Sequence, residues 1–305
     1  MIVFAAPIEC NDATSFAMPF SYNFGMGELV IHIDGRERHA AFQAASAKGP
    51  LPVVILLHGL GGSGSWAMRE TRWDELAERE GVLVVAPDAT LPNPKLPPRF
   101  YTNPPVWNNG SHAPPADKVL HVDDVAFIRA LLDELPRRWN IDSSQVCVTG
   151  FSNGAGMTFR LGLELADCLA AIAPVAGHLS AAGPHPARPV PTLYMIGSAD
   201  PLVPPGGGRV KTPWAEVSDK PPVSHSLRRW AKLMGLPPEP AEVIEMPGVR
   251  RERWEHGLLE SWLIDGLGHH WPGGRGELNK RIGGRPSNLV DATRVVWEFF
   301  RARRR

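Results

Sequence analysis

Residues 145–157 read QVCVTGFSNGAGM. The run 145–149 has strand character, the stretch from Asn153 onward has helix character, and Gly150-Phe151-Ser152-Asn153-Gly154 between them matches G-x-S-x-G. A sharp strand-to-helix turn crowds the backbone, so it needs glycine on either side of its tip and pushes the tip side chain out above the sheet edge. The helix begins at that serine, so its positive end faces any negative charge that develops there. In a glycine-rich chain the five-residue pattern also arises by chance; its position between a strand and a helix is what gives it weight.

The neighbouring segments repeat the same grammar. Residues 53–57 and 82–86 are continuous apolar runs, as expected of parallel strands buried on both faces. A glycine-rich turn and a helix over 66–80 separate them, with Trp66, Trp73, Leu76 and Ala77 on one face and Gly81 as its stop. Asp123 caps a helix carrying Val125, Ile128, Leu132 and Leu135. Strands follow at 170–175, 192–196 and 258–264, a helix at 223–234, and a last helix capped by Ser287. Near the start, 29–33 and 38–42 flank Asp34-Gly35, the chemistry of a tight antiparallel hairpin. Strands alternating with helices after a leading hairpin predict an α/β fold, a mostly parallel central sheet with helices on both faces. No repeat or linker divides the chain, so 28–305 is read as a single domain behind an N-terminal extension, 1–27. A proline-rich insertion without periodicity, 87–121, is a loop of functional length.

Composition narrows the function classes. The chain has 305 residues, 43% hydrophobic and 21% charged, an ordinary globular balance, and its 30 glycines and 31 prolines imply many loops. Lys+Arg and Asp+Glu are equal at 32 each, so no global field draws nucleic acid or an anionic membrane. The terminal Arg301, Arg303, Arg304 and Arg305 complement the negative end of the last helix. No segment approaches the ~18–20 apolar residues of a membrane span. The opening MIVFAAPIEC has no basic region and meets Pro7 and Glu9 too early for a signal peptide. That favours the cytoplasm, with export and signal removal as the alternative. Of three cysteines, Cys147 sits in an apolar run and reads as a buried thiol, which leaves Cys10 and Cys168 as a conceivable pair.

A serine hydroxyl is a weak nucleophile without a base, and the base needs a carboxylate to hold it. In the order known for this type of turn, serine is followed by the acid and then the histidine. Asp200, in Gly197-Ser198-Ala199-Asp200-Pro201, lies just past strand 192–196, at the end where open α/β sheets place their sites. Asp219 and Asp265 are its rivals. Gly266-Leu267-Gly268-His269-His270-Trp271-Pro272-Gly273-Gly274 follows the last strand, and by spacing either His269 or His270 serves as base.

In these motifs the chain resembles the poly(3-hydroxybutyrate) depolymerase and feruloyl esterase family of α/β-hydrolases, short-chain esterase members included. The resemblance rests on LLHGLGGSG (56–64), VWNNG (106–110), VDDVAFIRALLDEL (122–135), VCVTGFSNGAGM (146–157), AAIAPVAG (170–177), GSADPLVPPGGG (197–208) and GLGHHWPGG (266–274). It implies an α/β-hydrolase fold and a serine carboxylester hydrolase acting through an acyl-enzyme on short-chain, hydroxyalkanoate, feruloyl or related esters, small or polymeric, without metal or cofactor. It implies Ser152 as nucleophile, Asp200 as acid and His269 rather than His270 as base. The oxyanion hole it implies is the backbone N–H of Leu60 with that of Asn153. Relatives with a signal peptide and extra paired cysteines differ from this chain in both respects.

The aromatic loops supply candidates for substrate contact. Trp107, Trp271 and Tyr101 fall in loops expected to rim the site, and His58, which opens the glycine loop, is grouped with them. Trp66, Trp73, Trp230 and Trp297 read as scaffold. One decoy competes: Gly59-x-Gly61-x-x-Gly64 follows a strand, precedes a helix and has Asp88 at the spacing of a ribose-binding acid. A nicotinamide enzyme would leave the serine turn and the Gly-His-x-Trp-Pro loop without a role. Two further alternatives keep the fold: a silent ligand-binding protein and a serine peptidase or amidase.

Overall fold

The computed structural model describes residues 26–45, 49–183 and 185–305. Most of the N-terminal extension, and with it Cys10 and its pairing with Cys168, lies outside the described residues. In chain order the elements are β1 (Gly27–Ile33), β2 (Arg36–Gln43), β3 (Leu51–Leu57), α1 (Gly64–Glu70), α2 (Trp73–Glu80), β4 (Leu83–Pro87), α3 (Asp124–Arg138), β5 (Ile141–Phe151), α4 (Asn153–Glu164), β6 (Ala171–Val175) and β7 (Thr192–Gly197). Then come β8 (Gly208–Thr212), β9 (Ala215–Lys220), α5 (Val223–Leu233), β10 (Glu242–Met246), β11 (Val249–Arg253), β12 (Leu259–Ile264), α6 (Lys280–Gly283) and α7 (Ala292–Arg301).

Ten strands form one sheet in the order β1-β2-β4-β3-β5-β6-β7-β12-β11-β10. The middle, from β4 to β12, is parallel, and antiparallel strands close both edges. The parallel strands are the ones that read as continuous apolar runs. Every residue of β4, β6 and β7 is buried, because helices cover them on both faces. On one face α2 packs against α7, on the other α3 packs against α4. Cys147, in β5, is fully sheltered, and burial pushes its thiol up, far from reactive thiolate chemistry. None of the described helices is long and apolar enough to cross a membrane.

The elements expected from sequence are in place, with some corrections. The helix over 66–80 is two helices, because Arg72 adopts a left-handed φ of 64° that turns Trp73 into the core. The last helix is capped by Asp291, whose carboxylate accepts the Arg294 N–H at 3.0 Å, not by Ser287. Asp123 does cap α3, accepting the Ala126 N–H at 2.9 Å. The β10–β11 hairpin and the separate β8–β9 ribbon are additions. β10 is exposed along most of its length and so carries no apolar signature.

A buried ion pair ties the hairpin to α3. Arg38 of β2 reaches Asp124 at 2.8 Å, with side-chain exposures of 6% and 0%, and lies over the Phe127 ring. Removing one partner strands the other charge in the interior. Arg38→Leu is therefore expected to cost about 3–5 kcal/mol of stability, read as a lowered urea midpoint; a loss below about 1 kcal/mol would show that water reaches Asp124.

Candidate active site

Four loops at the carboxyl ends of β3, β5, β7 and β12 converge. Ser152 follows β5 with φ 57° and ψ −115°, a backbone conformation that a non-glycine residue adopts only when its surroundings hold it there. The flanking glycines have a steric reason. A Cβ on Gly150 would sit 2.5 Å from the Gly154 carbonyl oxygen, and one on Gly154 would sit 2.3 Å from that of Leu57. The turn is pinned by the Ser152 N–H, which donates to Val175 O at 2.9 Å.

The Ser152 hydroxyl lies 2.9 Å from His269 Nε2, and His269 Nδ1 lies 2.7 Å from Asp200 Oδ2. A carboxylate only accepts, so the ring proton sits on Nδ1 and the Nε2 lone pair receives the serine O–H. His269 and Asp200 are 2% and 3% exposed, so this chain of bonds is shielded from water up to the serine. The second Asp200 oxygen accepts the N–H groups of Leu202 and Val203 at 2.9 and 2.8 Å. Among the rivals, Asp265 binds the Ser198 hydroxyl at 3.0 Å and Asp219 lies on the β8–β9 ribbon. His270 turns away: its Nε2 donates to Gly284 O at 3.1 Å.

The loop after β3 is held tightly. His58 is wholly buried; its Nδ1–H donates to Gly59 O at 2.7 Å, its Nε2 accepts the Ala89 N–H at 3.0 Å, and burial lowers its pKa, keeping the ring neutral. Gly62 N–H closes a turn onto Gly59 O at 3.0 Å, with Leu60 at its tip and Gly61 at φ 80°. Among the described residues the N–H groups of Leu60 and Asn153 have no protein acceptor. Asp88, the acid of the dinucleotide alternative, accepts the Gly64 N–H at 2.6 Å and so braces the glycine loop.

Ser152 and His269 open onto a cleft of about 1040 Å³. Its walls include Trp66, Phe100, Tyr101, Leu202, Trp214 and Leu278. Of the residues expected to contact substrate, Tyr101 is on the wall and 62% exposed. The other three are not. His58 is spent on its own loop, Trp107 is fully buried with its indole N–H on His58 O at 3.0 Å, and Trp271 is buried with its indole N–H on Thr293 Oγ1 at 2.9 Å. Aromatic residues in loops beside a site are as useful for bracing it as for lining it, and sequence does not separate the two. Conversely Trp66, read as scaffold, lies on the wall and donates its indole N–H to Glu277 at 2.8 Å.

Phe100 and Trp214 had no sequence signal of their own. Their rings lie 4.8 Å apart, the Trp214 indole N–H donates to Phe100 O, and they join the long insertion to the β8–β9 ribbon above the cleft. Behind the Glu277 part of the wall, Glu70's buried carboxylate accepts the N–H groups of Gly276 and Glu277 at 2.8 and 3.2 Å, with burial pushing its pKa up.

A family model described as Phospholipase/Carboxylesterase matches residues 39–213, a span that holds Ser152 and Asp200 and stops short of His269. NocK of Nocardia uniformis subsp. tsuyamanensis, named as an esterase, is 30% identical over 269 residues, covering 79% of this chain and 73% of NocK. Feruloyl esterase B of Piromyces equi is 29% identical over 228 residues; the match covers 72% of this chain but 39% of that larger protein. The structure of an acetyl xylan esterase from Aspergillus awamori superposes with a TM-score of 0.58 at 16% identity, over 80% of this chain and 94% of that one, a likeness of fold. Sheet, motifs and matches agree: the chain belongs to the Phospholipase/Carboxylesterase family and is an esterase-type hydrolase with the α/β-hydrolase fold.

Proposed function

We propose that the chain is a serine carboxylester hydrolase that works through an acyl-enzyme. The observation that carries this is the unbroken path from Ser152 Oγ through both His269 nitrogens to Asp200, with its serine end on the cleft. Ser152 Oγ bonds to the ester carbonyl carbon while its proton passes to His269 Nε2. The charge on the former carbonyl oxygen falls between the N–H groups of Leu60 and Asn153, at the positive end of α4. Collapse breaks the bond to the alkoxy oxygen, which leaves with the proton from His269. Water then repeats the sequence on the acyl-serine, returning the acid and the free hydroxyl. Asp200 stays ionised and stabilises the imidazolium that forms at each stage.

The cleft supports a bulky, apolar or aromatic group on one side of the ester. Its volume is of the size that buries a drug-sized ligand, and its walls carry Trp66, Phe100, Tyr101 and Trp214. The test is a panel of p-nitrophenyl, feruloyl, acetyl and 3-hydroxybutyrate esters, compared by kcat/KM, with matched amides. Esters are expected to turn over with the bulkier acyl groups favoured, and amides to be poor substrates. Amide cleavage at a comparable kcat/KM would reassign the site to a peptidase or amidase.

A further inference from the structure

The buried Trp107 has a place in this site that is neither substrate wall nor plain core. We propose that residues 105–107 form a strut setting the distance between the two oxyanion donors, with Trp107 and the Asn153 side chain as positioning residues; the inference rests on the esterase reading of Ser152.

Five hydrogen bonds describe the strut. On the β3 side, Trp107 Nε1 donates to His58 O at 3.0 Å and Pro105 O accepts the Gly61 N–H at 2.9 Å. These grip the loop two residues before Leu60 and one residue after it. On the β5 side, the Trp107 backbone N–H donates to Asn153 Oδ1 at 2.8 Å, and Asn153 Nδ2 donates back to Trp107 O at 3.2 Å. The fifth, Val106 N–H to Thr90 O at 2.9 Å, fixes the strut to the segment after β4. One residue further on, Asn108 N–H donates to the buried Asp124 at 2.7 Å, so the strut is also moored to the Arg38–Asp124 pair.

The same short segment thus holds, by hydrogen bonds, both loops that present an oxyanion donor. Without it Leu60 is held by the His58 ring and the Gly59–Gly62 turn bond alone, on a turn whose Gly59, Gly61 and Gly62 give it conformational freedom. An oxyanion donor acts only when it sits about 2.7–3.1 Å from the forming charge, and a misplacement of about 1 Å is worth about a hundredfold in rate. The strut therefore contributes to the transition state without touching the substrate.

Two variants test it. Trp107→Phe keeps an aromatic ring against His58 and removes the N–H; Asn153→Ala keeps the backbone donor and removes both side-chain bonds. With a short p-nitrophenyl ester each is expected to lower kcat about tenfold with KM within about twofold of wild type. The inhibition constant of a trifluoromethyl ketone, which forms a tetrahedral oxyanion on serine, is expected to rise by the factor by which kcat/KM falls. The double variant is expected to lose less than the product of the single losses, because both cut one strut. Unchanged kcat and unchanged ketone affinity in Trp107→Phe would overturn the proposal. So would a lower unfolding temperature with ketone affinity intact, the signature of packing alone. Should Trp107→Phe fail to fold, Asn153→Ala carries the same readouts. Ser152→Ala, run alongside, separates the two levels: if it stays active the esterase reading falls, and if it is inert while Trp107→Phe matches wild type, the strut alone falls.

Discussion

Ser152→Ala is expected to reduce ester turnover by a factor on the order of 10³ or more and to leave the folded protein intact. The substitution removes one oxygen atom at a half-buried position, and Ala tolerates the left-handed φ no worse than Ser does. The backbone bond from residue 152 to Val175 O and both flanking glycines are untouched. Thermal unfolding should therefore match wild type while initial rates on a short p-nitrophenyl ester collapse. Covalent labelling by a fluorophosphonate should disappear in the same variant, since among the described residues Ser152 is the one whose hydroxyl bonds His269 Nε2. A variant that keeps its rate would require a nucleophile other than this serine, and the pathway through His269 would lose its purpose.

The parts of this arrangement legible in the sequence are those governed by local rules. Steric crowding writes glycine at positions 150 and 154, full burial writes unbroken apolar runs in β4, β6 and β7, and a strand end followed by a polar turn writes Asp200. The choice of His269 over His270 came from the family resemblance. In the structure His270 Nε2 is engaged by Gly284 O, while His269 Nε2 faces Ser152, which supports that choice. What stayed hidden depends on partners far away in the chain. Trp107 bonds Asn153 and His58 across separations of 46 and 49 residues, and nothing in VWNNG announces either partner. The same holds for the Phe100–Trp214 contact that roofs the cleft. The β10–β11 hairpin was faint for a different reason. An exposed edge strand needs no apolar face, so Pro247-Gly248 between two short charged segments was its available signal.

Asp200→Asn is expected to lower kcat by a factor on the order of 10⁴ by putting the catalytic histidine in the wrong tautomer. Here the geometry dictates why. One oxygen of residue 200 is held by the N–H groups of Leu202 and Val203, at 2.9 and 2.8 Å. In the amide those two donors retain the oxygen, and the NH₂ group is left facing His269 Nδ1, 2.7 Å away in the wild type. A donor facing Nδ1 forces that nitrogen to accept, the ring proton moves to Nε2, and Nε2 can no longer take the proton of Ser152. The fold should hardly notice, because the number of hydrogen bonds is unchanged. Asp200→Ala differs in leaving the N–H groups of Leu202 and Val203 and the Nδ1–H of His269 without an acceptor, and should cost about 1–3 kcal/mol of stability in addition to the rate. Stability measured by denaturant and rate measured on the same ester thus come apart in the two variants. If Asp200→Asn retained kcat within about tenfold of wild type, the tautomer argument would fail. The imidazole would then be oriented by some group other than this carboxylate.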